Sequence, residues 1–139
     1  MNAETGAPAG SVVVVADDDV LFSTRITAAL AALGYAPVVV RGGDAFTRAL
    51  GRRPAAAVIN LAARRFDGVA LIRDAKGDAA TRAVPLLGFC GHRDLARRAA
   101  AHQAGCDLVA TNGTVSADLP RLLRSVIGAT DAPAARGPA

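Results

Sequence analysis

Residues 11–20 read SVVVVADDDV: four valines, Val12 to Val15, lead through Ala16 into three consecutive aspartates, Asp17, Asp18 and Asp19. An unbroken apolar run of this kind is how a central parallel strand, buried on both faces, reads in sequence. Carboxylates where such a strand emerges point to a cation, or to an anionic ligand held through one.

Outward from this stretch, short apolar runs alternate with helical patterns. The expected strands are Val12–Ala16, Ala36–Val40, Ala55–Leu61, Pro85–Cys90 and Leu108–Thr111, each bounded by turn residues. Val20–Leu33 places Leu21, Ile26, Leu30 and Leu33 at helical spacing and is stopped by Gly34. A shorter helix is expected over Asp44–Arg52 with Asp44 as its cap, then helices over residues 66–76 and 93–104. The last helix is expected to start with Asp118 as cap, which puts Pro120 in the first turn, where its missing N–H does no harm. The sum is an α/β, (βα)5 chain: a doubly wound, five-stranded parallel sheet with right-handed crossovers. In such sheets the functional crevice lies beyond the carboxyl ends of the strands. Asp17–Asp19, Asn60, Cys90 and the pair Thr111–Asn112 should therefore converge. Residues 1–10 and 129–139, rich in Ala, Pro and Gly, read as disordered tails on one domain spanning 11–128.

Composition narrows the function classes. With 139 residues the chain can bury a sizeable core, and with aromatics at 4% and no tryptophan that core must be aliphatic. No apolar stretch approaches the roughly 20 residues of a membrane span, and the N-terminus lacks a basic start and apolar stretch, so a cytoplasmic protein with no membrane partner is expected. Cys90 and Cys106 have no neighbours at zinc spacing and read as small buried hydrophobes. Of sixteen basic residues only Lys76 is lysine, and the net charge is +4. The arginines are scattered in short pairs, Arg52–Arg53, Arg64–Arg65 and Arg97–Arg98, without the stacking aromatics of a nucleic-acid face. Gly42–Gly43 lacks the Lys-Ser/Thr of a phosphate loop, and His92 and His102 have no nucleophile to serve.

Over residues 11–128 the chain resembles a response-regulator receiver domain. VVVVADDDVL is similar to that family's first strand and acidic pocket, PAAAVINLAARRFDG to its third strand and following loop, VPLLGFCGH to its fourth strand and AGCDLVATNG to its fifth. The resemblance implies the flavodoxin-like strand order 2-1-3-4-5. It places Asn60 at the phosphoacceptor aspartate, Cys90 at the switch Ser/Thr, Val109 at the switch aromatic and Asn112 at the invariant lysine, while Asp67–Gly68 match the pair closing the loop. It also makes Asp17 and Asp18 the acid pair that holds Mg²⁺ in the family, here a weak or vestigial metal site that Asn60 and a carbonyl near Ala62 would complete.

Four departures from the family's chemistry coincide. An amide is not a useful nucleophile, a thiol donates weakly, and Val109 has no ring to swing. Losing the aspartate and the lysine together leaves the local charge unchanged, and the two asparagines could hydrogen-bond to each other. The expectation is a stand-alone pseudo-receiver, not an enzyme, requiring no cofactor. It would act by binding an acidic partner, or itself, through the helix 4–strand 5–helix 5 face that carries Arg97, Arg98, Arg121 and Arg124. Two alternatives stand beside it: a phosphorelay regulator using Asp67 or one of Asp17–Asp19, or residual metal-dependent switching; and a nucleic-acid-associated basic protein. No helix-turn-helix segment follows residue 128.

Overall fold

The computed structural model describes residues 10–131, without the side chains of the last three; most of both expected tails lies outside the described residues. Five strands and five helices alternate: β1 (Val12–Ala16), α1 (Val20–Ala32), β2 (Ala36–Val40), α2 (Gly43–Leu50), β3 (Ala56–Asn60), α3 (Gly68–Gly77), β4 (Leu86–Cys90), α4 (Leu95–Gln103), β5 (Leu108–Thr111) and α5 (Asn112–Asp131). All pairings are parallel, in the order β2-β1-β3-β4-β5. The sheet is the one expected, and the acidic stretch leaves its second position, between β2 and β3.

The valine run shows why the sheet has helices on both faces. Side chains alternate along a strand. Val13 and Val15 join one core with Ile26 and Leu30 of α1 and Leu119 and Leu123 of α5. Val14 and Ala16 join the other, with Phe46 of α2, Ile72 of α3 and Ala101 of α4. The buried residues of both cores are aliphatic apart from Phe46, Phe89 and Tyr35 and the thiols Cys90 and Cys106.

Most element ends are set by short polar side chains. Asp19, Asp67 and Asp94 accept the backbone N–H of Phe22, Ala70 and Arg97 and so start α1, α3 and α4. Gly34, at φ +93°, supplies the left-handed residue that ends α1. Asp44 does not cap α2. The helix begins one residue earlier at Gly43, with Gly42 extended before it and no side-chain cap, and Asp44 complements the dipole from the first turn.

The last helix also differs from expectation. It begins at Asn112, directly after β5, because Thr111 Oγ1 accepts the N–H of Thr114 and Val115 is buried. At Asp118 (φ −146°, ψ 39°) the chain leaves helical geometry and re-enters before Pro120. Pro120 has no N–H to give and its ring crowds the preceding turn, so it sits at the start of the second segment. The Asp118 boundary is thus real, with an extra helical turn before it.

Candidate functional site

Parallel topology brings the carboxyl ends of β1, β3, β4 and β5 to one edge of the sheet. There the closest side-chain contact joins β1 to β3: Asn60 Nδ2 donates to Asp17 Oδ1 at 2.8 Å. Asp17 is fully buried. The same oxygen also accepts the N–H of Asp19 at 3.0 Å, while Oδ2 has no hydrogen-bond partner. Burial pushes the Asp17 carboxyl above its ordinary range, against the downward pull of the Asn60 and Asp19 hydrogen bonds. Just after β2, Arg41 Nη1 donates to the Asp17 carbonyl at 3.0 Å.

Asn60 uses both ends of its amide. Its Oδ1 accepts the N–H of Ala62 at 2.8 Å, which fixes the amide's orientation and turns its NH2 toward Asp17. No bond links it to Asn112. Asn112 is exposed at the start of α5, and its side chain makes no hydrogen bond. The expected asparagine–asparagine pair is replaced by an Asn60–Asp17 pair because a buried carboxylate is the more demanding acceptor.

Asp18 faces the β3–α3 loop. Its Oδ2 accepts the N–H of Arg64 at 2.8 Å and of Arg65 at 3.0 Å. Partial burial works against its ionised form, but the N–H groups of Arg65 and Arg64 outweigh it and hold the carboxyl below its usual range. Nothing in the local sequence announces this contact, which spans more than forty residues and depends on how the loop leaves β3. Gly68 lets the loop close tightly: a Cβ there would lie 3.0 Å from the Asn60 carbonyl oxygen and 3.1 Å from the Leu61 Cα.

Cys90 is buried in the α2–α3–α4 core, its Sγ 3.8 Å from the Asp94 carbonyl oxygen. Burial, then the Asp94 charge, pushes its thiol up, so it is held as the unreactive thiol. Burial likewise pushes Cys106 up to about 11. Val109, half-buried, packs on the same core. On the opposite edge of the fold, Lys76 ties α3 to the loop before β5 through Asp107 at 2.7 Å.

The arginines expected to form one basic face are not equivalent. Arg97 pairs with Asp94, and Arg121 pairs with Asp118, each one turn earlier. Their charges are largely met locally, while Arg98 on α4 makes no salt bridge among the described residues.

As a metal site the arrangement is incomplete. Asp17 Oδ2 is an open donor, but one oxygen of Asp18 already serves two amides, and Asn60 turns N–H groups rather than oxygen toward Asp17. Among the described residues, no three His, Cys, Asp or Glu side chains cluster to hold an ion. Mg²⁺ keeps several waters and accepts one or two carboxylates, so the pair fits a weakly held ion.

The buried acid sets a pH dependence. A carboxyl whose folded pKa is raised keeps its proton longer in the native state, so stability falls as pH rises through that pKa. Asp17→Asn removes the ionisation and keeps an oxygen for Asn60 and the Asp19 N–H. Thermal unfolding from pH 4 to 8 should show the variant gaining on the parent as pH rises; parallel curves would refute the assignment.

No family model matches the chain, and no curated protein matches it either. Solved structures do. A putative response regulator from Chloroflexus aurantiacus is 17% identical, covering 86% of this chain and 98% of its own, with a TM-score of 0.79. The receiver domain of a sensor histidine kinase from Pseudomonas aeruginosa, with a magnesium ion coordinated in its active-site cleft, is 26% identical, covering 86% and 99%, with a TM-score of 0.77. The signal receiver domain of a histidine kinase from Syntrophus aciditrophicus is 21% identical, covering 86% and 92%, with a TM-score of 0.76. The chain therefore has the fold of the receiver domains of two-component signalling, with an asparagine hydrogen-bonded to a buried aspartate at the mouth of its sheet.

Proposed function

We propose that this protein is a cytoplasmic signalling module of the receiver type that works by binding a partner protein and does not take up a phosphoryl group. The reading rests on one observation above the others. At the end of β3 the side chain is an amide, and both its polar ends are committed, to Asp17 and to the Ala62 N–H. An amide nitrogen with a delocalised lone pair does not attack a phosphoryl donor. The position after β5, Asn112, carries no charge to cradle phosphoryl oxygens, and the buried Cys90 thiol is a weak donor.

Partner binding follows from a fold retained around such a pocket, with arginines on α4, α5 and the β3–α3 loop favouring an acidic protein or a second copy of the chain. The proposal is of a binding protein rather than an enzyme, with no cofactor needed for that role. Mg²⁺ would bind weakly through Asp17 and Asp18, without a structural requirement for it. No helix among the described residues is long and apolar enough to cross a membrane.

The test is direct. After incubation with acetyl phosphate and Mg²⁺, the intact mass should be unchanged. Beryllofluoride with Mg²⁺ should leave the amide spectrum of α4, β5 and α5 where it was. A stoichiometric phosphoryl adduct, or beryllofluoride shifts across that face, would overturn the reading.

A further inference from the structure

Beside the mouth of the sheet, between the β3–α3 loop and α4, lies an open cleft of about 510 Å³. Arg64 and Arg65 line it from the loop and Arg97 from α4, with Phe66 and Val69 among its apolar residues and Asp67 its single acid. We propose that this cleft is where an acidic peptide segment of the partner docks, its carboxylates meeting the arginines and one apolar side chain resting against Phe66 and Val69. The inference rests on the partner-binding reading and gives it a site other than the α4–β5–α5 face.

Three observations converge on it. The first is unspent charge. Arg64 and Arg65 are exposed and, among the described residues, neither makes a salt bridge, the Arg65 charge acting only at longer range on Asp18, whereas Arg97 and Arg121 are already paired with Asp94 and Asp118. With Arg97 paired to Asp94, two exposed guanidinium groups stand against the Asp67 carboxylate in the lining, a positive balance that a carboxylate-bearing ligand complements, and the planar fork of arginine suits carboxylates. The second is order. Asp18 holds the loop by the N–H groups of both arginines, Asn60 holds it by the N–H of Ala62, and Asp67 caps the helix that follows. A loop pinned at these points presents its side chains without a large ordering cost on binding. Asp18 thus serves the cleft by fixing the loop that carries two of its cations.

The third is shape and composition. Phe66 and Val69 are partly buried against the α2–α3–α4 core and form a fixed apolar wall within a charged rim. That pairing of wall and rim is the pattern of a peptide anchor site. The volume admits one or two side chains of a segment and is too small for a folded surface. A nucleic-acid backbone would call for a longer basic track with several stacking aromatics.

The experiment uses the full chain, uniformly ¹⁵N-labelled, titrated with a short synthetic peptide in which Asp and Glu flank a single Leu. Amides of residues 61–69 and of Arg97 should shift in a saturable way. A peptide with Lys in place of the acids, and one with Gly in place of the Leu, should each bind at least about tenfold more weakly. Arg64→Gln with Arg65→Gln should abolish the shifts while leaving the melting temperature nearly unchanged, since both side chains are exposed and the backbone N–H groups that bind Asp18 remain. Arg121→Glu should leave binding intact. Absence of shifts at the loop, shifts centred on α5, or the same loop shifts with inorganic phosphate alone would each overturn the proposal. These outcomes do not depend on the acetyl phosphate experiment, so the docking site and the phosphate-independent reading fail separately.

Discussion

Asn60→Asp should destabilise the protein by about 3–5 kcal/mol at neutral pH in the presence of a chelator, the scale expected when a buried charge loses its partner. The substitution removes the N–H that reaches Asp17 at 2.8 Å and puts a second carboxyl against an acid that is already fully buried. Two carboxyls in such contact do not both ionise readily, so the pair retains a proton to higher pH than either would alone. A raised folded pKa means that stability is lost as pH rises through it, so the deficit should grow from pH 5 to 8 in urea unfolding. Divalent cation should reverse it. With a third carboxylate oxygen in place, millimolar Mg²⁺ would bind the native state and raise its stability in proportion to the logarithm of its concentration. The parent protein should respond far less. If variant and parent unfold alike in chelator across this pH range, Asn60 is not the partner of Asp17, and the case for a pocket settled around an amide collapses. The variant also separates the two halves of the functional argument. It supplies a nucleophilic carboxylate, yet Asn112 and Cys90 stay as they are, so the charge and hydroxyl that would hold phosphoryl oxygens are still missing.

The sheet was largely written in local sequence. The run from Val12 to Ala16 forms β1 with its expected ends, because a strand buried on both faces leaves an unbroken apolar stretch between turn residues; the edge strands β2 and β5 match as well, marked by short apolar runs that are only partly buried. β3 and β4 stop short of their apolar runs, although Ala55, Pro85 and Leu61 still share backbone hydrogen bonds with Val12, Ala57 and Phe89, so the runs mark the sheet's hydrogen-bonded extent and overshoot only the regular ladder. Less was legible where a polar side chain has two uses. Asp44 has the chemistry of a cap but stands one position inside the helix, and Thr111 starts a helical turn that no apolar periodicity marks. The candidate site divides along the same line. Which residues reach the edge of the sheet follows from strand order. Whom they touch does not, since Asp17–Asn60 and Asp18 with the Arg64 and Arg65 N–H groups are contacts over forty residues or more. The arginines show the limit most clearly. In sequence Arg97 and Arg98 are a basic pair, but on α4 the cap Asp94 takes the first of them, and the unspent charge lies on a loop that sequence marks only as a loop.

Phe89→Ala should cost about 3–5 kcal/mol, the range for emptying a large buried aromatic site, and lower the melting temperature by roughly 12–20 °C for a domain of this size. Phe89 is fully buried on β4, level with Asn60 of β3, and its ring lies 5.3 Å from that of Phe22 on α1. Phe22 is the neighbouring ring, but it is anchored on α1 and already packed against this core, and small aliphatic residues on a rigid sheet collapse poorly into the gap. Phe46 is its counterpart in the core on the other face, also nearly fully buried. Phe46→Ala should therefore cost a similar amount. Because the two cores are separated by the sheet and share no side-chain contact, the two losses should add to within a few tenths of a kcal/mol. Their sum reaches or exceeds half the stability of an ordinary domain, so the double variant should be partly or wholly unfolded at 37 °C while each single variant still folds at 25 °C. Chemical denaturation with matched m-values measures all three. A double variant no less stable than the weaker single one would show that the two faces do not hold independent cores, and with that the doubly wound packing that brings Asp17 and Asn60 together would be wrong.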